Sequence, residues 1–135
     1  MDYHKHIIEY YAKKIPQLEI NLSYLPFEEV IWLQNNATAN IILEADAQVS
    51  PFLPGKFPHC VSTNKPIIHL GPHKSETRRL LRIDYPYSST VNNVDRISEI
   101  FQLLYEKWTN NNVLTLNRPD LKKYLGAAYV KEQIE

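Results

Sequence analysis

Two short runs, "ANIILEAD" (residues 39–46) and "KPIIHLG" (residues 65–71), are almost continuously apolar, and each empties into a proline- or glycine-bearing loop that runs on into a helix-like stretch. A strand that is apolar on both faces needs a layer above it and a layer below. Strands separated by helices imply right-handed crossovers and a mainly parallel sheet. The expectation is an α/β, Rossmann-like domain, an open and mainly parallel sheet with helices on both faces. With 135 residues, 44% of them hydrophobic and 11% aromatic, the chain can bury one core, so residues 1–135 are read as a single domain.

The remaining elements fit around those two strands. Residues 2–14 put Tyr3, Ile7, Ile8 and Tyr11 on one helical face, with Lys13 and Lys14 at the end and Pro16 closing it. "LEINLSYL" (residues 18–25) alternates apolar and polar residues like a strand, and "PFEEVIWLQNN" then opens a helix with Pro26 and two acids in its first turn. "AQVSPFLPG" is read as a loop, and a short helix follows over 57–63, with Asn64 suited to the left-handed turn that ends it. Ser75 is placed to cap "SETRRLL", and "RIDYPYSS" reads as an edge strand or loop because Pro86 cannot donate to a ladder. Val94, Ile97, Phe101, Leu104 and Trp108 define the clearest helix, capped by Asn92 or Asn93, and Pro119 and Asp120 open a last helix through about residue 134, with Ala128 and Ile134 on its apolar face.

Charge is balanced overall, with 15 basic and 15 acidic residues, but it is segregated. Residues 15–55 hold five acids and no lysine or arginine, whereas residues 50–82 hold six basic residues, one acid and two of the three glycines. This pattern argues against nucleic-acid binding and for one compact anionic ligand. In open α/β sheets ligands sit beyond the carboxyl ends of the strands, where the two loops of the basic segment fall. A phosphate is the expected ligand, with Lys56 and Lys74 beside Gly55 and Gly71. These glycines serve either as turn residues or as bare backbone against a ligand.

Other residues carry blander readings. Arg78, Arg79 and Arg82 read as a solvated helix face, and Glu76 as either a first-turn acid or a site residue. His59, Cys60, His69 and His73 lack a recognised ligand spacing, so no metal is expected. Tyr3, Tyr10, Tyr11 and Trp108 read as core or interface residues. Ser62 and Thr63 have no base nearby in sequence and belong to no nucleophile motif. Cys60 is the only cysteine, which fits a reducing compartment, and no apolar run approaches the ~20 residues of a membrane helix. The chain is therefore expected to be soluble and cytoplasmic, without a membrane span.

"ANIILEADAQVSPFLPGKFPHCVSTNKPIIHLGPHKSETRRLL" resembles the nucleotide-sugar-binding region of GT-B glycosyltransferases of the large retaining, group 1 family. There, an S-P-x-x-P-G-K loop leads to a helix ending in G-K-P, a strand, and a loop ending in an acid. Ser50, Pro51, Pro54, Gly55, Lys56, Lys65, Pro66, Gly71, Ser75 and Glu76 match it. "LEINLSYLPFEEVIWLQNNATANIIL" is similar to that family's preceding strand, helix and strand, and "AAYVKEQIE" to its closing helix. The resemblance implies that the loop through Ser50, Pro51, Phe52, Gly55 and Lys56 wraps the diphosphate and sugar of a nucleoside diphosphate sugar, the donor substrate. It implies that Gly71, Ser75 and Glu76 add donor contacts, and that His59 stands where the family has a ribose-binding glutamate. Imidazole cannot accept from two adjacent hydroxyls as a carboxylate does. Asn64 replaces the family's usual glycine.

The resemblance further implies half of a GT-B fold, the donor-binding domain without the acceptor domain, whose first strands would precede Met1. A hexosyl-type parent enzyme would transfer sugar to a glycan or lipid-linked acceptor in polysaccharide biosynthesis, with no cofactor, and this chain alone would be inactive. The missing amino-terminal acceptor domain would be its partner. The alternatives are a non-catalytic Rossmann-like module binding a phosphate-bearing ligand or partner protein, and a fragment that self-associates through exposed sheet edges.

Overall fold

A computed structural model describes residues 2–126 and residue 131. Helix α1 (Asp2–Lys14) and helix α2 (Phe27–Asn36) precede the first strand, β1 (Asn40–Leu43). Strand β2 (Val49–Ser50) and helix α3 (Phe57–Ser62) lead to strand β3 (Ile67–Leu70). Strand β4 (Lys74–Ser75), helix α4 (Glu76–Leu81), strand β5 (Ser88–Ser89), helix α5 (Val94–Thr109) and helix α6 (Pro119–Tyr124) complete the order. Strands β1, β3 and β5 form one sheet in the order β1-β3-β5, and β2 and β4 form a second; every pairing is parallel.

The central strand is the expected one. Ile67, Ile68 and His69 of β3 are all buried, because helices cover both of its faces. On one face Ile67 joins Ile42, Phe57, Cys60, Val61, Leu80, Leu81, Leu116 and Leu121, which come from β1, α3, α4, α6 and the segment before α6. On the other, Ile68 meets Tyr87, Ile100 and Leu104, the last two from α5. Cys60 is buried in the first cluster, and burial pushes its thiol pKa up. The molecule is thus α/β with a small parallel sheet between helices. Among the described residues no helix is long and apolar enough to cross a membrane.

β5 reaches only His69 and Leu70 of its neighbour. At the start of β3 the missing ladder bonds are made by a side chain: Tyr85 Oη donates to Ile67 O at 2.6 Å and accepts from Ile67 N at 3.0 Å. Pro86 stands before β5, which is an edge strand as expected. Helix caps follow the sequence. Ser75 Oγ accepts from Arg78 N, and of the two candidate asparagines it is Asn93 that accepts from Arg96 N.

Three expectations need correction. Residues 18–25 form no strand and are largely exposed; their alternation is real, but no neighbouring strand pairs with them, and an unpaired strand leaves half its backbone groups without a ladder. β1 is not buried on both faces, since it is an edge: Asn40 and Ile42 face inward while Ile41 and Leu43 are exposed. The segments read as loops around residues 49–50 and 74–75 instead pair with each other, Val49 with Lys74 and Ser50 with Ser75. The last helix is described to Tyr124, and Ala128 and Ile134 lie outside the described residues.

Asn64 ends α3 with φ of 56°, as expected, and its side chain adds a long-range bond: Oδ1 accepts from Asn117 N at 3.0 Å while its carbonyl accepts from Leu116 N at 2.9 Å. This junction holds the segment before α6 against the core. Asn64→Gly keeps the backbone shape but loses one hydrogen bond, about 1 kcal/mol, whereas Asn64→Ala also meets the left-handed penalty of about 1–2 kcal/mol. Urea midpoints should therefore fall in the order wild type, Asn64→Gly, Asn64→Ala.

Candidate functional site

Because β1, β3 and β5 are parallel, their carboxyl ends lie side by side at Leu43, Leu70 and Ser89. The residues just beyond them carry the polar chemistry. Glu44 N–H bonds to Leu70 O at 2.9 Å, which carries the ladder one step past β1 and sets the Glu44 side chain across the end of β3. There Glu44 Oε2 meets His69 Nε2 at 2.5 Å, with both side chains almost wholly buried. Ser50 Oγ donates to the other carboxylate oxygen at 2.9 Å. This bond joins the loop after β1 to the same buried group.

Burial holds the His69 pKa below its ordinary 6.5; the Glu44 hydrogen bond and charge oppose this, and the nearby Arg78 charge reinforces it. The surroundings fit the neutral ring. Nδ1 is buried with no partner among the described residues, and a second ring proton would be stranded there. The neutral imidazole then donates its Nε2 hydrogen to the Glu44 carboxylate. Gly71 makes room for the pair, since a Cβ at that position would lie 2.7 Å from Glu44 Oε2 and 2.9 Å from His69 Nε2.

Two clefts open beside this buried pair. One, of about 390 Å³, lies between the loops after the three strands and includes Asp46, Gln48, Gly71, Lys74 and Thr90. Asn92 Nδ2 donates to Asp46 Oδ2 at 3.0 Å between two of those loops. The other, of about 360 Å³, is lined by His73, Lys74, Ser75, Arg78, Arg79 and Arg82. The two share His73 and Lys74.

The three arginines of the second cleft are not equivalent. Arg79 is exposed and paired with Glu76 at 2.5 Å, and this pair lowers the Glu76 carboxyl pKa. Arg82 reaches Asp120 at 3.4 Å, a carboxylate held down to about 2, chiefly by its hydrogen bond to Arg118. Arg78 is half-buried, and its Nε and Nη2 have no hydrogen-bond partner among the described residues. The reading of all three as a solvated face thus holds for Arg79 and Arg82 and fails for Arg78. Both nitrogens are themselves buried, so what Arg78 brings to the cleft wall is a permanent charge rather than open donors.

Of the residues expected at the site, Gly71, Ser50 and Ser75 converge at the carboxyl ends, the two serines as direct partners across the β2–β4 ladder. Ser75 lines the second cleft and caps α4, while Glu76 is engaged with Arg79. Pro51 and Phe52 are exposed in the loop after β2. Gly55 and Lys56 are exposed at the start of α3; Gly55 has an ordinary negative φ, and a Cβ there would meet nothing within 4 Å. Among the described residues nothing crowds Gly55. His59 packs edge-to-face against Phe27 of α2, ring centroids 5.3 Å apart. His59, Cys60, His69 and His73 go to different surroundings, namely Phe27, the core, Glu44 and the cleft walls. Among the described residues no three His, Cys, Asp or Glu side chains gather as a metal site would require. Sequence reasoning missed Glu44, Asp46, Asn92 and Arg78. The signal available for Glu44 was an acid closing an otherwise apolar strand, and for Arg78 its place three residues after the cap.

Comparison with protein-family models, with curated proteins and with solved structures found no match.

Gly71→Ala forces the Glu44–His69 pair apart or displaces the loop, so it should cost about 1–3 kcal/mol in urea unfolding. The pH dependence follows from the lowered His69 pKa. The unfolded imidazole takes up a proton near 6.5 that the folded one refuses, so this contribution is present above 6.5 and is lost as pH falls below it. Unfolding free energies measured between pH 7.5 and 5 should decline toward acid, and His69→Gln should flatten that decline.

Proposed function

We propose that this chain binds a nucleoside diphosphate sugar beyond the carboxyl ends of its parallel strands, as the donor-binding portion of a glycosyltransferase acting on a glycan or lipid-linked acceptor. The observation that carries this reading is the Arg78 guanidinium, half-buried with Nε and Nη2 unpaired, at the wall of a cleft it shares with Lys74 and Ser75. A diphosphate supplies the negative charge that the Arg78 guanidinium and Lys74 attract at that wall. The adjoining cleft offers Asp46 and Thr90, side chains suited to sugar or ribose hydroxyls. The likeness of "SPFLPGK" and "KPIIHLGPHKSE" to the donor loops of the group 1 glycosyltransferases narrows the anion to a sugar nucleotide. In this reading Lys56 and the uncrowded backbone at Gly55 approach the same diphosphate.

A second reading has an observation in its favour. The His59 ring is engaged with Phe27 and carries no carboxylate for ribose hydroxyls, which suits a non-catalytic module that holds a simpler phosphate-bearing ligand. Calorimetric titration separates the two. UDP, GDP or a UDP-sugar should bind below millimolar concentration, and Arg78→Ala or Lys74→Ala should each weaken binding by about 10-fold, the loss of one charge-assisted contact. Competition by inorganic phosphate as effective as that by nucleotide selects the simpler module. Absence of binding by every nucleotide and by phosphate rejects both.

A further inference from the structure

Strand β1 forms one edge of the three-stranded sheet, and among the described residues no strand pairs with the other side of its backbone. Asn40 N bonds to Pro66 O, just before β3, and Glu44 N to Leu70 O at its end, so the alternation of a parallel strand turns the N–H and C=O groups of Ile41 and Leu43 away from the sheet. Among the described residues nothing pairs with them. Proteins blunt such edges with lysine, proline, a bulge or a covering segment, and "NIIL" carries none of these devices. Instead the outward side chains of Ile41 and Leu43 are apolar and exposed, 46% and 62%. Ile41 continues into an apolar groove of about 280 Å³ lined with it by Ala39, Phe101, Tyr105 and Trp108, and no charged side chain lines that groove.

We propose that the β1 edge pairs with β1 of a second copy of this chain. A two-fold axis through Ile42 sets the strands antiparallel and brings Ile41 of each copy opposite Leu43 of the other. Each such pair exchanges both backbone hydrogen bonds, and two three-stranded sheets become one of six strands. The same operation lays the two apolar grooves next to each other on one face. An uncharged apolar patch is its own complement, as a two-fold interface requires, and a formal net charge of zero removes long-range repulsion between copies. The area is of the right order. Three half-exposed aromatic rings with Ile41 and Leu43 present roughly 400–500 Å² per copy, and the paired strand backbone brings this toward the ~800 Å² per partner of a stable interface.

Sedimentation velocity over about 1–100 μM tests the proposal, with circular dichroism as a check on folding. A dimer is expected, together with at least a 10-fold weakening by Leu43→Lys and no change for Ile83→Lys, an exposed apolar position in a cleft that shares no residue with the groove. A monomer throughout the range overturns the proposal, and so does a dimer indifferent to Leu43→Lys or equally sensitive to both substitutions. Occupation of the edge by a different protein while this chain alone stays monomeric also overturns it. Should Leu43→Lys fail to fold, Trp108→Ser on the groove wall replaces it, with the same expected and overturning results.

Discussion

The carboxyl end of the sheet is organised around one buried hydrogen bond, that between Glu44 and His69. Burying a carboxylate beside an imidazole is costly unless each finds a partner, and here the partners come from separate parts of the chain. Glu44 follows β1, His69 lies on β3, Ser50 belongs to β2, and Gly71 yields the space. One interaction therefore fixes the relative positions of two strands and the loop between them. Because β2 is tied by Ser50 and then pairs with β4, the start of α4 is set by the same group. Arg78 reaches the cleft from that helix.

Two kinds of positive charge follow from this arrangement. Arg79 and Arg82 spend their charge on Glu76 and Asp120, and as largely exposed pairs they contribute little beyond background field. Arg118 is structural, bonding the carbonyls of Leu80 and Leu81 at the end of α4 and thereby docking the start of α6. Arg78 makes no such pair among the described residues, and its Nε and Nη2 are buried without partners. The three arginines of the basic segment thus divide into two engaged in ion pairs and one, Arg78, with buried nitrogens that find no partner among the described residues.

Local chemistry made some of this legible in sequence. The all-apolar β3, the helical spacing of α5, the Asn64 turn and the Ser75 cap each depend on residues within a few positions of one another, and each appears where it was expected. What could not be read depends on distant neighbours. "LEINLSYL" has a strand pattern but no strand to pair with, and "NIIL" looks doubly buried although it lies at an edge. The two-residue β2 and β4 exist only because the loops meet, and Glu44 and His69 are 25 positions apart. Arg78 has the same helical neighbours as Arg79 in sequence, and only the fold distinguishes an inward guanidinium from an outward one.

Cys60 illustrates how a feature of the core becomes a property of the molecule in time. Its thiol lies among Phe57, Ile67 and Leu81, nearly inaccessible and reluctant to ionise. A thiol reacts as the thiolate and only when a reagent can reach it. The single sulfhydryl of the chain is therefore shielded while the core around it stays packed, and a reagent reaches it only through opening of that core. The protein carries a built-in clock for the opening of its own centre.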